Sequence, residues 1–158
     1  MKAVFPGSFD PVTNGHLNLI RRATRIFDEV TVLIMTNTSK KSLFSLSERS
    51  AFLKEALKDF PEVTVQAVSD ELTVKVAQKI GAQVIIRGVR NEKDFIFESE
   101  IAAMNAHLAP KLETVFLPSA PKFTQLSSSI IKEVAKFGGD LTGLVPVAVE
   151  KALKEKES

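Results

Sequence analysis

The chain of 158 residues contains no cysteine, which excludes disulfides and cysteine-ligated metal sites and suits a reducing compartment. No apolar run approaches about 18 residues, so no membrane span and no membrane partner are expected. The N-terminus lacks the charged-then-apolar pattern of a secretory signal, which makes a cytoplasmic location the expectation. Net charge is small, with Lys+Arg 21 against Asp+Glu 19 and a formal value of +2. A basic stripe of the kind that grips nucleic acid is therefore not expected, and any anion site must come from local clustering of basic groups. Histidine is scarce, at two residues. What is present is ordinary for a soluble globule: 44% hydrophobic and 25% charged residues. The length corresponds to a single domain, 1–158, that buries roughly 68–70% of its unfolded surface.

Hydrophobic patterning alternates between two periods. Ala3 to Phe5, Val30 to Met35, Val63 to Val68, Val84 to Ile86 and Thr114 to Leu117 read as short strands, most of them near-continuous apolar runs as in a parallel sheet. Between them lie helical stripes: Leu17 to Phe27, a helix behind the capping-box pattern Ser45 to Glu48, Leu72 to Ile80 stopped by Gly81, and a long helix from about Glu92 to His107. In that last helix Phe97, Ile101, Met104 and Leu108 recur at helical spacing, and Met35 and Met104 fit core positions. Ser127 to Ala135 and a short helix after Pro146 complete the chain, with Lys154 to Ser158 expected to fray. Strand–helix repetition of this kind predicts an α/β fold, a doubly wound, five-stranded parallel sheet with right-handed crossovers. Ligands of such sheets bind beyond the carboxyl ends of the strands. That rule selects the turn from Gly7 to His16, the Lys40 loop, the corner from Asp70 to Thr73, Arg87 to Arg90, and Phe123 to Ser129.

The first turn is the most informative. Pro6, Gly7, Pro11 and Gly15 impose an unusual backbone path, and Gly15 allows a ligand close to the helix. Asp10 is expected to accept from the turn's own amides. His16 falls in the first helical turn, where the helix dipole disfavours a second proton, and a neutral imidazole there still donates one hydrogen bond to an anion. A lone histidine is more often incidental; this spacing argues otherwise. Lys40 and Lys41 form a pair of a kind that usually only meets solvent, yet they follow a strand at the sheet's carboxyl edge. Arg87 and Arg90 flank a glycine, an arrangement suited either to a rim salt bridge or to phosphate. Glu98 reads, taken alone, as a surface partner one helical turn from its neighbours. Ser127, Ser128 and Ser129 are either a simple cap or a phosphate cradle at a helix start. His107 reads as a dipole partner at a helix end.

Gly7-Ser8-Phe9-Asp10-Pro11 followed by Thr13, Gly15 and His16 resembles the T/HxGH signature of the nucleotidyltransferase superfamily. The fuller match is to the phosphopantetheine adenylyltransferase family. It covers essentially the whole chain and includes Ser39 to Lys41, Ile86 to Arg90, Asp94 to Glu98, Met104 with Asn105, and Leu126 to Ser129 followed by Lys132 and Glu133. The resemblance implies a Rossmann-like nucleotidyltransferase fold and reversible adenylyl transfer from ATP to 4′-phosphopantetheine in coenzyme A biosynthesis. It implies catalytic roles for His16, Lys40 and Ser8. The implied ATP contacts are Ser8, Phe9, His16, Gly88, Val89, Arg90, Glu98 and the segment Phe123, Thr124, Gln125, Leu126, Ser127, Ser128 and Ser129. The implied phosphopantetheine contacts are Ser8, Lys40, Thr73 and Arg87, with Lys41 left to solvent. Thr124 and Gln125 stand where many members have Ser and Phe, and Phe123 where Trp or Tyr is common. A homohexamer and feedback by coenzyme A are further family expectations.

The chemistry suits these residues. A phosphate monoester has a second pKa of about 6, is largely dianionic at neutral pH and needs no general base. With no nucleophilic pair apparent, direct displacement without an enzyme-bound AMP is expected. No carboxylate cluster for a metal is apparent either, so Mg²⁺ is expected on the ATP phosphates. Two other readings remain: a related nucleotidyltransferase acting on nicotinate mononucleotide or glycerol phosphate, and a non-catalytic nucleotide-binding module.

Overall fold

Each central strand sends alternate side chains into two separate cores. The structure, a computed structural model, describes residues 1–36 and 39–158. β1 (Lys2–Gly7) puts Ala3 and Phe5 on one face and Val4 on the other. β2 (Glu29–Met35) divides Val30, Val32 and Ile34 from Leu33, and β4 (Val84–Val89) divides Val84 and Ile86 from Ile85. This is the period-two pleat of strands buried on both faces, the pattern that near-continuous apolar runs predict. β3 (Val63–Val68) and β5 (Glu113–Pro118) are the edges.

All pairings are parallel and the order is β3-β2-β1-β4-β5, the predicted five-stranded, doubly wound sheet. The first face is covered by α1 (Asn14–Ala23), α2 (Leu46–Ala56), α5 (Ser128–Lys136) and α6 (Val147–Glu157), which contribute Leu17, Ile20, Leu53, Ile131, Val149 and Leu153. The second is covered by α3 (Thr73–Lys79), through Val74, Val76 and Ala77, and by Ala109 and Leu112 after α4 (Glu92–Leu108). Among the described residues no helix is long and apolar enough to cross a membrane.

The topology switches direction between β1 and β4, and the strands part there. Pairing joins Ala3 to Val84 and Val4 to Ile85; farther on, β1 stays with β2 as far as Gly7 and β4 stays with β5 as far as Val89. A crevice at the carboxyl ends follows from this divergence, where such folds place ligands.

Several expectations need correction. β4 does not end at Ile86: Arg87, Gly88 and Val89 are strand residues, because β5 continues to offer ladder partners in Phe116, Leu117 and Pro118. α1 ends at Ala23, earlier than its stripe suggests, and Ile26 is exposed while Phe27 is buried. Residues 154–157 do not fray. α6 continues to Glu157, with Lys154 paired to Glu150 and Lys156 reaching Glu48 on α2. Met104 is not a core residue. It is exposed together with Phe95, Ile96, Phe97, Ile101 and Leu108, whereas Glu98 is the buried residue of α4.

Candidate active site

Thr13 caps α1 and in doing so sets the state of His16. Its hydroxyl accepts from the His16 amide (3.3 Å), and its own amide donates to His16 Nδ1 (3.0 Å), a reciprocal capping box in which histidine takes the place usually held by Glu or Gln. A backbone N–H needs an acceptor, so Nδ1 is unprotonated and the ring hydrogen lies on Nε2. The Phe9 ring meets the imidazole edge-on, with centroids 5.1 Å apart. Burial, then the positive charges of Arg90 and Arg87, lower the His16 pKa to about 4. The depressed basicity expected from the helix dipole is therefore present, with desolvation as its main cause.

The turn before the helix is held from outside itself. Phe9, not a glycine, adopts the left-handed backbone (φ 48°), and its buried ring lies 3.0 Å from where a Cβ on Gly7 would stand. Asp10 does not accept from the turn's own amides. Its Oδ2 and Oδ1 accept from the amides of Leu43 and Phe44, each at 2.8 Å, in the segment leading to α2. Lys132 of α5 approaches the same carboxylate at 3.5 Å. Arg49 of α2 donates to the Ser8 carbonyl (2.8 Å), and the Ser128 hydroxyl donates to the Pro11 carbonyl (2.8 Å).

Across the crevice, Arg87 reaches back from β4 to the Pro6 carbonyl of β1 at 2.5 Å. Its Nε and Nη2 meet Glu98 Oε2 and Oε1 at 2.7 and 2.8 Å, a bidentate pair. Arg90 pairs with Asp94 (2.9 Å) and donates to the Leu126 carbonyl (3.4 Å). Gly88 lies so close to α1 that a Cβ there would stand 2.4 Å from Leu19 Cδ1. Its lack of a side chain lets the middle of α1 pack closely on β4.

These residues border a cleft of about 470 Å³ lined by Ser8, His16, Lys40, Arg87, Gly88, Arg90, Glu98, Phe123, Leu126, Ser127 and Ser128, all of them expected site residues. Ser127 is the cap of α5, accepting from the Ile130 amide, and Ser128 spends its hydroxyl on Pro11. What that helix start can offer an anion is the amides of Ser128 and Ser129, the first two of α5. A second cleft, about 440 Å³, is lined by Thr73, Met35, Thr36, Ile85, Ile101 and Asn105. Ser8, Arg87 and Phe97 line both clefts. Phe9, Val89, Thr124, Gln125 and Ser129 line neither; Phe9 acts from behind, against His16.

Sequence reasoning missed Phe97, Asp94, Ser119 and Leu19 as lining residues, and it missed Arg49 altogether. A signal for Arg49 existed: it lies four and eight residues before Leu53 and Leu57, on the buried face of α2. Among the described residues no three His, Asp or Glu side chains converge as a metal site.

Comparisons with known proteins identify the family. The family model described as cytidylyltransferase-like matches residues 4–134. The chain is 54% identical over 154 residues to a phosphopantetheine adenylyltransferase of Lacticaseibacillus paracasei, covering 98% of this chain and 92% of that one. It is 52% identical over 156 residues to the enzyme of that name from Dictyoglomus turgidum, covering 99% and 97%. A crystal structure of a putative nicotinate-nucleotide adenylyltransferase from Vibrio parahaemolyticus superposes with a TM-score of 0.71 at 18% identity, covering 99% of this chain and 93% of that one, which speaks for the fold. A histidine-capped turn, a crevice at the sheet's switch point and near-full-length identity above one half thus converge, and the chain belongs to the phosphopantetheine adenylyltransferase family of nucleotidyltransferases.

Proposed function

We infer that the chain carries out its family's reaction, reversible adenylyl transfer from ATP to 4′-phosphopantetheine with release of pyrophosphate, by direct in-line displacement where the two clefts meet. The observation that carries this assignment is the sharing of Ser8, Arg87 and Phe97 between the clefts. Two substrates lying in adjoining clefts present their reacting groups at the shared wall, which is what in-line attack requires. In this reading ATP occupies the cleft of His16, Arg90 and the 123–128 segment. The pantetheine arm occupies the cleft of Thr73 and Ile101.

The acceptor phosphate is itself the nucleophile and gives up no proton, so the site needs no general base. The obstacle is repulsion between two anions. Lys40 and Arg87 hold the acceptor phosphate, Arg90 holds the nucleotide, and Ser8 orients the acceptor at the junction. His16, neutral and with its hydrogen on Nε2, donates to the α-phosphate as charge builds there. Glu98 keeps Arg87 aimed. The carboxylates of the first cleft, Asp94 and Glu98, are each engaged by an arginine. In this reading Mg²⁺ travels with the ATP phosphates and water. A cytoplasmic location, the expectation from the sequence, is part of this reading.

The exposed apolar face of α4 supports self-association, and we assign the family's homohexamer to a surface that includes it. Sedimentation equilibrium of the wild type and of Ile96→Glu tests this; monomeric wild type refutes it. Offering ATP with phosphopantetheine, nicotinate mononucleotide or glycerol phosphate and measuring pyrophosphate tests the activity. Release is expected with the first acceptor. Preference for another overturns the reading, and silence with all three favours a binding module.

A further inference from the structure

A closed ring of hydrogen bonds joins the first turn to the root of the Lys40 loop. The Asp10 carboxylate accepts from the amides of Leu43 and Phe44, each at 2.8 Å. Arg49 Nε donates to the Phe44 carbonyl at 3.1 Å, and its Nη1 donates to the Ser8 carbonyl at 2.8 Å. The backbone of Phe44 is thus gripped at its N–H by the turn's carboxylate and at its C=O by a guanidinium that also grips the turn. All three residues are deeply buried: Asp10 6%, Arg49 3% and Phe44 0% exposed.

Anchoring a loop does not require this. Phe44 already packs edge-to-face on Phe52, with centroids 5.2 Å apart, and apolar burial alone would retain it. Burying a carboxylate and a guanidinium carries a desolvation cost that packing does not. What the two charged side chains add is direction: four hydrogen bonds fix the Phe44 backbone relative to Ser8, while an apolar contact leaves it free to slide. Lys40 lies four residues before Phe44, and Lys40, Ser8 and His16 line one cleft.

We propose that Asp10 and Arg49 are positioning residues that set the spacing between Lys40 on one loop and Ser8 and His16 on the other, and so the approach of the acceptor phosphate to the α-phosphorus. Neither lines either cleft, so each acts through the residues it holds. The proposal rests on the reading that Lys40 holds the acceptor phosphate. Asp10→Asn keeps the shape but replaces one acceptor oxygen with an NH₂ group facing an amide donor, which turns one attraction into a repulsion.

The test is a double-mutant cycle of Asp10→Asn and Lys40→Ala, reading kcat, the KM of each substrate, the ATP Kd and Tm. A misplacement of this kind is expected to lower kcat by up to about 10²-fold and to raise the acceptor KM, with the ATP Kd held within about twofold. In the Lys40→Ala background the same substitution is expected to add less than about a further twofold, since its target is gone. An equal factor in both backgrounds, a wild-type Asp10→Asn enzyme, or ATP Kd and acceptor KM rising together overturns the clamp and leaves the Lys40 assignment standing. A Lys40→Ala enzyme with wild-type turnover overturns that assignment, and the clamp with it. If Asp10→Asn does not yield folded protein, Arg49→Lys enters the same cycle with the same outcomes. It retains the charge and loses the fork that spans Ser8 and Phe44.

Discussion

Glu98 holds Arg87 by both of its oxygens, at 2.7 and 2.8 Å, while the third nitrogen of the guanidinium reaches the Pro6 carbonyl on the neighbouring strand. Three of the five donor hydrogens are thereby committed. One remains on each terminal nitrogen, and the side chain that borders both clefts is oriented before any substrate arrives. That is preorganisation: the ordering of a long side chain is settled in folding and not charged to binding.

Substitution Glu98→Gln is expected to release Arg87 from this orientation. The apparent KM for phosphopantetheine should rise more than that for ATP, and Arg87→Ala should show the same division. Urea unfolding should report a loss of about 1.5–3 kcal/mol, the usual worth of hydrogen bonds to a charged group. Equal effects on both KM values would show that Arg87 serves the two substrates alike.

His16→Ala removes one donor aimed at the reacting phosphate. Turnover is expected to fall by about 10²–10³, the typical loss for such a donor, with ATP affinity changed little. Calorimetry of ATP binding beside steady-state kinetics separates the two. Collapse of binding with turnover preserved would refute a role in the transition state.

The pH behaviour follows from the low His16 pKa. With a folded value of about 4 against an ordinary 6.5, the imidazole is neutral from about pH 6 upward. The acid limb of kcat/KM should therefore follow the acceptor phosphate, near its second pKa of about 6, in wild type and in His16→Asn alike. The stability linkage has a definite sign. The unfolded chain takes up a proton at His16 before the folded chain does. The contribution is complete above pH 6.5 and is lost as pH falls from there toward 4. His16→Asn should flatten the pH dependence of Tm in that window, and NMR titration of the His16 ring reads the pKa itself.

Gly88→Ala would drive a methyl group to 2.4 Å from Leu19 Cδ1. A destabilisation of about 1–3 kcal/mol is expected from overpacking, together with a rise in the KM for ATP as α1 is pushed from β4. Leu19→Ala in the same chain should return part of the loss. Denaturant midpoints of the single and double variants measure this.

The sheet was legible because its evidence is local. Val30 to Met35 and Val84 to Ile86 leave few alternatives to buried parallel strands, and the Ser45–Glu48 capping box is found as expected. Arg87 was misplaced after the strand because its place in the ladder depends on Phe116, a partner that local pattern does not reveal. Met104 was misread because a helical stripe of apolar residues looks the same whether it faces a core or stands exposed on α4. Glu98 read as a surface residue because its partner lies eleven positions away on another element. The roles of Asp10 and Arg49 depend on contacts 33 to 41 residues apart in the chain, beyond any periodicity. Lys40 lines the first cleft, while residues 37 and 38 before it lie outside the described residues.

The shared wall of Ser8, Arg87 and Phe97 has a consequence for how a turnover ends. In the proposed assignment each substrate enters its own cleft and departs from it independently. The product, however, is one covalent molecule made from the contents of both, and it lies across the wall. Its two halves reinforce each other's hold, as tethered fragments do, so it leaves more slowly than either alone. Until it goes, it shuts out both substrates at once. Dephospho-coenzyme A should therefore inhibit against ATP and against phosphopantetheine, while pyrophosphate competes on the nucleotide side alone.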